Sequence, residues 1–245
     1  MIRRRLMALA ICMTVLAGAC LTASCKKISS DGTSLPSIPG AETDPTGQPG
    51  GDDMYATGEW EITEDPTVTG ELKTVYDSST AGTAAKDYEI LAYLGCRSRM
   101  GLDYCFLCLD PEGTYKLVDV YENINSVYEF VGEAELQWPG TASASMIGSW
   151  KLSEDPGIRD YILDLTGQVS VEAPDRIYSA VTYLGSQFVS GRKHAVLCIT
   201  EPKNPPSPAI EYDLYLITIF EGTEGKPELF ESNIVDISSY FPATN

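Results

Sequence analysis

The chain has 245 residues and a formal net charge of -18, from 35 acidic and 17 basic side chains. At 43% apolar residues it can bury a core, so it is not a disordered chain throughout. The acid excess argues against a nucleic-acid partner, because phosphate binding needs clustered Lys and Arg. A solvated acidic surface accounts for the charge without any function.

The first residues read as a signal. Arg3, Arg4 and Arg5 precede an apolar stretch from Leu6 to Ala19, which is too short to span a bilayer comfortably, and small residues and cysteines follow. This looks like a bacterial lipoprotein signal, in which a cysteine after small residues becomes the lipidated N-terminus. Cys20 follows Ala17-Gly18-Ala19 and Cys25 follows Leu21-Thr22-Ala23-Ser24; neither has the usual large aliphatic residue three places earlier. Cys25 is favoured, because Lys26 and Lys27 end the apolar character abruptly, and Cys20 is the alternative. The resemblance implies a signal peptide over 1–24 and a lipid-anchored protein of the bacterial cell envelope. Residues 25–56 are rich in Ser, Gly, Pro, Asp and Thr and read as a disordered tether. About 31 flexible residues span roughly 30 Å on average.

Beyond the tether the chain repeats. Gly58-Glu59-Trp60 returns as Gly148-Ser149-Trp150, Glu64-Asp65-Pro66 as Glu154-Asp155-Pro156, Tyr93-Leu94-Gly95 as Tyr183-Leu184-Gly185 and Leu107-Cys108 as Leu197-Cys198, all at an offset of 90. A unit of that length suits a self-contained domain. The copies are assigned to 57–138 and 146–245, with a linker over 139–145.

Each copy opens with a short strand, Trp60-Glu61-Ile62 or Trp150-Lys151-Leu152. Asp65-Pro66 and Asp155-Pro156 have the pattern of an N-cap followed by a first helical position. Val68, Leu72 and Val75, and then Ile158, Ile162 and Leu165, continue at helical spacing. Strand runs follow at 88–94, 103–109, 116–121 and 127–136 in the first copy. In the second they fall at 177–184, 193–200, 212–220 and 228–237. The last two strands are offset by 99, because a proline-dense loop from Glu201 to Pro208 is inserted before them. The expected class is α+β: two tandem domains, each one helix on an antiparallel sheet of four to five strands.

That element order matches the cystatin family, and the second copy carries more than the order. Met146-Ile147-Gly148 resembles the N-terminal segment of the stefin branch. Gln187-Phe188-Val189-Ser190-Gly191 fits the cystatin first-hairpin motif, Gln-any-Val-any-Gly, and Lys226-Pro227 falls at the second hairpin; the Pro-Trp pair common there is absent. The resemblance implies that Gly148, Gln187, Phe188, Val189, Ser190, Gly191, Lys226 and Pro227 form a wedge that blocks papain-like cysteine proteases without covalent chemistry. The alternative is a surface interaction or ligand-binding module with no protease partner. The first copy departs from the motif, reading Arg97-Ser98-Arg99-Met100-Gly101.

No enzyme is expected. The single histidine, His194, aligns with Tyr104 and has no nucleophile elbow beside it, so it reads as an aromatic strand position. Cys105 and Cys108 stand three apart on a strand and point to opposite faces, which disfavours a metal site. Cys96, Cys105, Cys108 and Cys198 could pair in three ways, and the sequence does not choose. Glu64-Asp65 and Glu154-Asp155 read as helix caps. No phosphate-cradling loop appears, and no cofactor is expected.

Overall fold

The structure, a computed structural model, describes residues 58–141, 148–205 and 211–242. The expected signal, the lipid-attachment candidates Cys25 and Cys20, the expected tether and Met146-Ile147 lie outside the described residues.

Both copies follow one element order. The first has β1 (Trp60–Ile62), α1 (Gly70–Thr80), a 3-10 turn (Ala84–Asp87) and a meander of β2 (Glu89–Ser98), β3 (Gly101–Leu109), β4 (Tyr115–Asn123) and β5 (Tyr128–Glu135). The second has β6 (Trp150–Leu152), α2 (Asp160–Glu172), β7 (Arg176–Val189), β8 (Gly191–Pro202), β9 (Asp213–Glu221) and β10 (Pro227–Ile234), closed by α3 (Ile237–Tyr240). Two antiparallel five-stranded sheets result, ordered β1-β2-β3-β4-β5 and β10-β9-β8-β7-β6. The eight meander strands overlap the eight expected runs. The second is longer than expected at its end: Pro202 closes the β7–β8 ladder opposite Arg176, a strand terminus that a proline tolerates.

The α+β expectation is corrected. Of the described residues 48% lie in strands and 18% in helices, and the fold is mostly β. The reason lies in the sheet faces. The sequence pattern assigns each sheet one helix and says nothing of its other face. In the structure those other faces cover each other: one buried cluster joins Leu94, Leu107 and Leu117 of the first sheet to Leu184, Leu197 and Leu216 of the second. Both copies belong to one compact unit. The helices lie on the outer faces. Tyr76 of α1 meets Phe106 edge to face at 5.3 Å, and Ile162, Leu165 and Val169 of α2 pack on Val196, Cys198, Ile217 and Ile219. Central strands buried on both faces read as unbroken apolar runs rather than as alternation.

The repeated motifs meet in space. β1 pairs with the end of β2, Ile62 opposite Gly95, and β6 pairs with β7, Leu152 opposite Gly185. The ladder is bulged at both glycines, and a Cβ there would stand 2.2 Å from the carbonyl oxygen of Glu61 or Lys151. Only glycine fits such an approach. The preceding Tyr93 and Tyr183 N–H groups donate to the Pro66 and Pro156 carbonyls at 2.9 and 3.1 Å. Asp-Pro is therefore not the helix start that the sequence suggested. The helices begin at Gly70, capped by the Thr69 side chain, and at Asp160. Asp65 and Asp155 instead accept from the backbone N–H of Thr67 and Gly157, forming Asx turns that precede the helices.

The two sheets run head to tail. The Tyr115 hydroxyl, where β4 begins, donates to the Leu184 carbonyl at 3.0 Å, and Trp138, beyond β5, packs on Trp150 at 5.8 Å. Reciprocally, the Phe241 carbonyl, beyond β10, accepts from Arg97 at 3.0 Å. The β2–β3 and β4–β5 turns thus form one end of the sandwich, and the β7–β8 and β9–β10 turns form the other.

Cys105 points to the inter-sheet core and Cys108 to α1, with its thiol 3.5 Å from the Tyr76 hydroxyl. Cys105, Cys108 and Cys198 are free and buried, so none of the three complete pairings forms. Burial pushes the Cys108 thiol up to about 12 and raises the other two as well, which keeps them protonated.

Candidate binding end of the second copy

Antiparallel pairing brings the proposed segments to one end. Arg192 stands opposite both Phe188 and Glu221, so the β7–β8 and β9–β10 turns lie side by side. Trp150 opposite Gln187 brings Gly148 to the same place. The Gln187 side-chain amide donates to the Gly148 carbonyl at 2.6 Å, which ties the segment before β6 to the hairpin.

The hairpin turns through Ser190 alone, with Val189 paired to Gly191. Gly191 has φ +146°, and a Cβ there would meet the Glu221 carbonyl at 2.5 Å and the Phe220 ring at 2.8 Å. This glycine therefore fits the hairpin against β9, and a side chain there disturbs the sheet. Phe188 is 51% and Val189 47% exposed, large apolar groups left in water at the tip. Phe188 is not bare on both faces: the Arg192 guanidinium lies 4.2 Å from its ring centroid. Lys226 is exposed and pairs with Glu172 of α2 at 2.5 Å, while Pro227 is buried. The second turn thus contributes position rather than an apolar tip.

Three residues escaped the sequence reading. Phe230 is 59% exposed, and the Lys193 ammonium sits 3.6 Å from its ring centroid. Arg192 and Lys193 have no carboxylate partner within ion-pair distance among the described residues, in a chain of net charge -18. Phe230 was hidden because a bulge between Leu229 and Glu231 breaks the alternation of β10.

His194 lies directly beneath this hairpin and is buried. Its Nδ1 is 3.2 Å from the Tyr183 hydroxyl, and its Nε2 is 3.5 Å from the Tyr161 hydroxyl and 3.6 Å from the Glu221 carboxylate. Tyr161 also bonds Glu221. Burial lowers the imidazole pKa below its usual value; Glu221 opposes this and Arg192 adds to it. The first copy holds the same arrangement in other chemistry, Tyr104 donating to Glu122 at 3.0 Å. The sequence signal was present: the offset of 90 aligns His194 with Tyr104, and the offset of 99 aligns Glu221 with Glu122.

The aligned hairpin of the first copy is built differently. Arg97 is buried against Asp103, and Arg99 lies 4.8 Å from the Tyr121 ring centroid while also pairing with Asp103. Its two charges are thus turned inward, not displayed.

No protein-family profile matches this chain, and no curated protein matches it.

Proposed function

We propose that this chain is a non-enzymatic binding protein, lipid-anchored to a bacterial envelope through Cys25, whose recognition surface is the hairpin end of the second copy. The partner we assign is the cleft of a papain-like cysteine protease. The observation that carries the reading is the pair Phe188 and Val189, half exposed at a turn fixed by Gly191 and by the Gln187–Gly148 hydrogen bond. Apolar side chains held at a rigid tip gain from being covered and lose little entropy on docking. The resemblance of Gln187 to Gly191 to the cystatin hairpin supplies the protease class.

A second reading keeps the end and changes the partner. The unpaired cations Arg192 and Lys193, lying on aromatic faces, favour an anionic protein surface over an apolar cleft. Titration of the intact chain against a papain-like protease separates the two. Inhibition that is lost on combining Phe188→Ser with Val189→Ser is the expected result. If tens of micromolar protein leaves the protease fully active, the protease reading fails.

A further inference from the structure

The opposite end of the sandwich is also apolar, and no motif marked it. Met100 at the β2–β3 turn is 64% exposed, and Ile124 and Val127 at the β4–β5 turn are 76% and 50% exposed. Gly101 pairs with Asn123, so the two turns stand side by side, about 5 Å apart in the manner of neighbouring strands. The other turn residues are Ser98, Asn123, Asn125 and Ser126, all neutral, together with Arg99, whose charge is taken up by Asp103. Exposed Glu59 and Glu129 flank the turns.

The chain itself says what lies nearby. The Gly58 N–H donates to the Ser98 carbonyl at 2.9 Å, so the segment leading from the N-terminus joins the fold beside the Met100 turn. The recognition end stands at the far end of the sandwich. A lipid attached upstream of Gly58 would tether the fold at this apolar end and bring it within reach of the bilayer.

We infer that Met100, Ile124 and Val127 rest in the interfacial layer of the membrane that holds the anchor, and so aim the second copy's hairpins away from it. This rests on the lipid-anchor reading. Apolar side chains at the tips of two turns can enter the boundary between headgroups and acyl chains, which lies about 5–10 Å deep for interfacial segments. With no free cation at the turns and two carboxylates beside them, the surface suits zwitterionic lipid and not anionic lipid.

The test uses the lipidated full chain in zwitterionic vesicles containing nitroxide-labelled lipid. A fluorophore is placed at Asn125→Cys or, at the other end, at Thr223→Cys; the thiols of Cys105, Cys108 and Cys198 are buried and do not compete. The probe at position 125 is expected to be quenched several-fold more than the probe at 223, because only the first sits at interfacial depth. Combining Met100→Ser, Ile124→Ser and Val127→Ser should bring it down to the level at 223, with an unchanged thermal melt. Mass spectrometry of the same sample reads the anchor. No acyl chain on Cys25 or Cys20 overturns the anchor reading. Acylated protein quenched equally at 125 and 223 overturns the membrane contact alone. A dimer that the triple variant dissolves, without quenching at 125, would give this end to a second copy of the chain and also overturn it.

Discussion

The bases of the two equivalent hairpins place different chemistry at the same inner-face positions. In the first copy these are Arg97, Asp103 and Asp119. Arg97 lies 4.6 Å from the Trp60 ring centroid, bonds Asp103 at 3.0 Å and approaches Asp119 at 3.7 Å, and all three are buried. In the second copy the same positions carry Gln187, Lys193 and Thr218; Gln187 and Lys193 are half buried, and Lys193 reaches Phe230. The first base is sealed because the carbonyl of Phe241 arrives from the other copy to cap its arginine. Among the described residues the second has no such cap from the other copy, and it keeps its cations near water. Duplication preserved the bulge, the tryptophan strand and the Asx turn, while the hairpin bases diverged into one sealed end and one open end.

Breaking the sealed end should have the largest effect. Arg97→Ala leaves buried Asp119 without its nearest cation and buried Asp103 with Arg99 alone, and removing one member of a buried ion pair costs about 3–5 kcal/mol. Gln187→Ala, at the equivalent place, gives up one half-exposed hydrogen bond, with a cost of about 1 kcal/mol or less. Denaturant unfolding of the two variants measures the difference; equal losses would mean that the ends are not energetically distinct. The shared core is tested next. Leu197→Ala opens a cavity between the sheets and should cost about 2–5 kcal/mol, in a single transition that probes of both copies report together. Two separate transitions would show that the copies are independent.

The ends should also respond oppositely to pH. Burial, helped by Asp103 and opposed by Arg97 and Arg99, raises the Asp119 pKa to about 7. Asp119 accepts no hydrogen bond among the described residues, which leaves its charged form poorly supported. The folded state therefore holds this proton where the unfolded state has released it. Its contribution is fully present below the unfolded pKa of about 4 and is lost as pH rises through 7. His194 works the other way. Its folded pKa is lowered, so the unfolded chain takes up the proton first, and stability falls as pH drops below about 6.5. Asp119→Asn should flatten the loss above pH 4, and His194→Tyr, the residue of the first copy, should flatten the loss below 6.5. Melting temperatures across pH 4–8 report both slopes, and an unchanged profile in either variant refutes that assignment.

Much of the local structure was legible because its signals are local. Turn residues and apolar runs located the eight meander strands, and the constant offset revealed the duplication. Sheet-on-sheet packing was not legible. Cys105-Phe106-Leu107-Cys108 is apolar on both faces, and such a run does not say whether its second face meets a helix, another sheet or a partner. That ambiguity produced the α+β assignment. The Asp-Pro pair misled for a related reason: Asx turns and N-caps use the same carboxylate-to-backbone hydrogen bond, and only the Tyr93 and Tyr183 contacts distinguish them. At the proposed binding end, the hairpin was visible through its glycine. Phe230 and the His194–Glu221 pair needed the bulge and the tertiary register, which no local pattern encodes.

The smallest expected effects fall on the turns themselves. Val189→Ser and Ile124→Ser should each change stability by no more than about 0.5 kcal/mol, because exposed positions away from buried networks rarely do more. Phe188→Ser also gives up the Arg192 contact and should lose about 0.5–1 kcal/mol, the worth of an exposed cation–π pair. Chemical denaturation at neutral pH resolves these values. If the losses are as small as expected, the fold gains almost nothing from apolar groups at either set of turns. Their hydrophobicity is then a property of the two ends as surfaces, and the binding and vesicle measurements become the place where they should matter. A loss above about 2 kcal/mol at Val189 or Ile124 would instead mean that the turn residues pack inward in solution, and would remove the basis for treating either end as an interface.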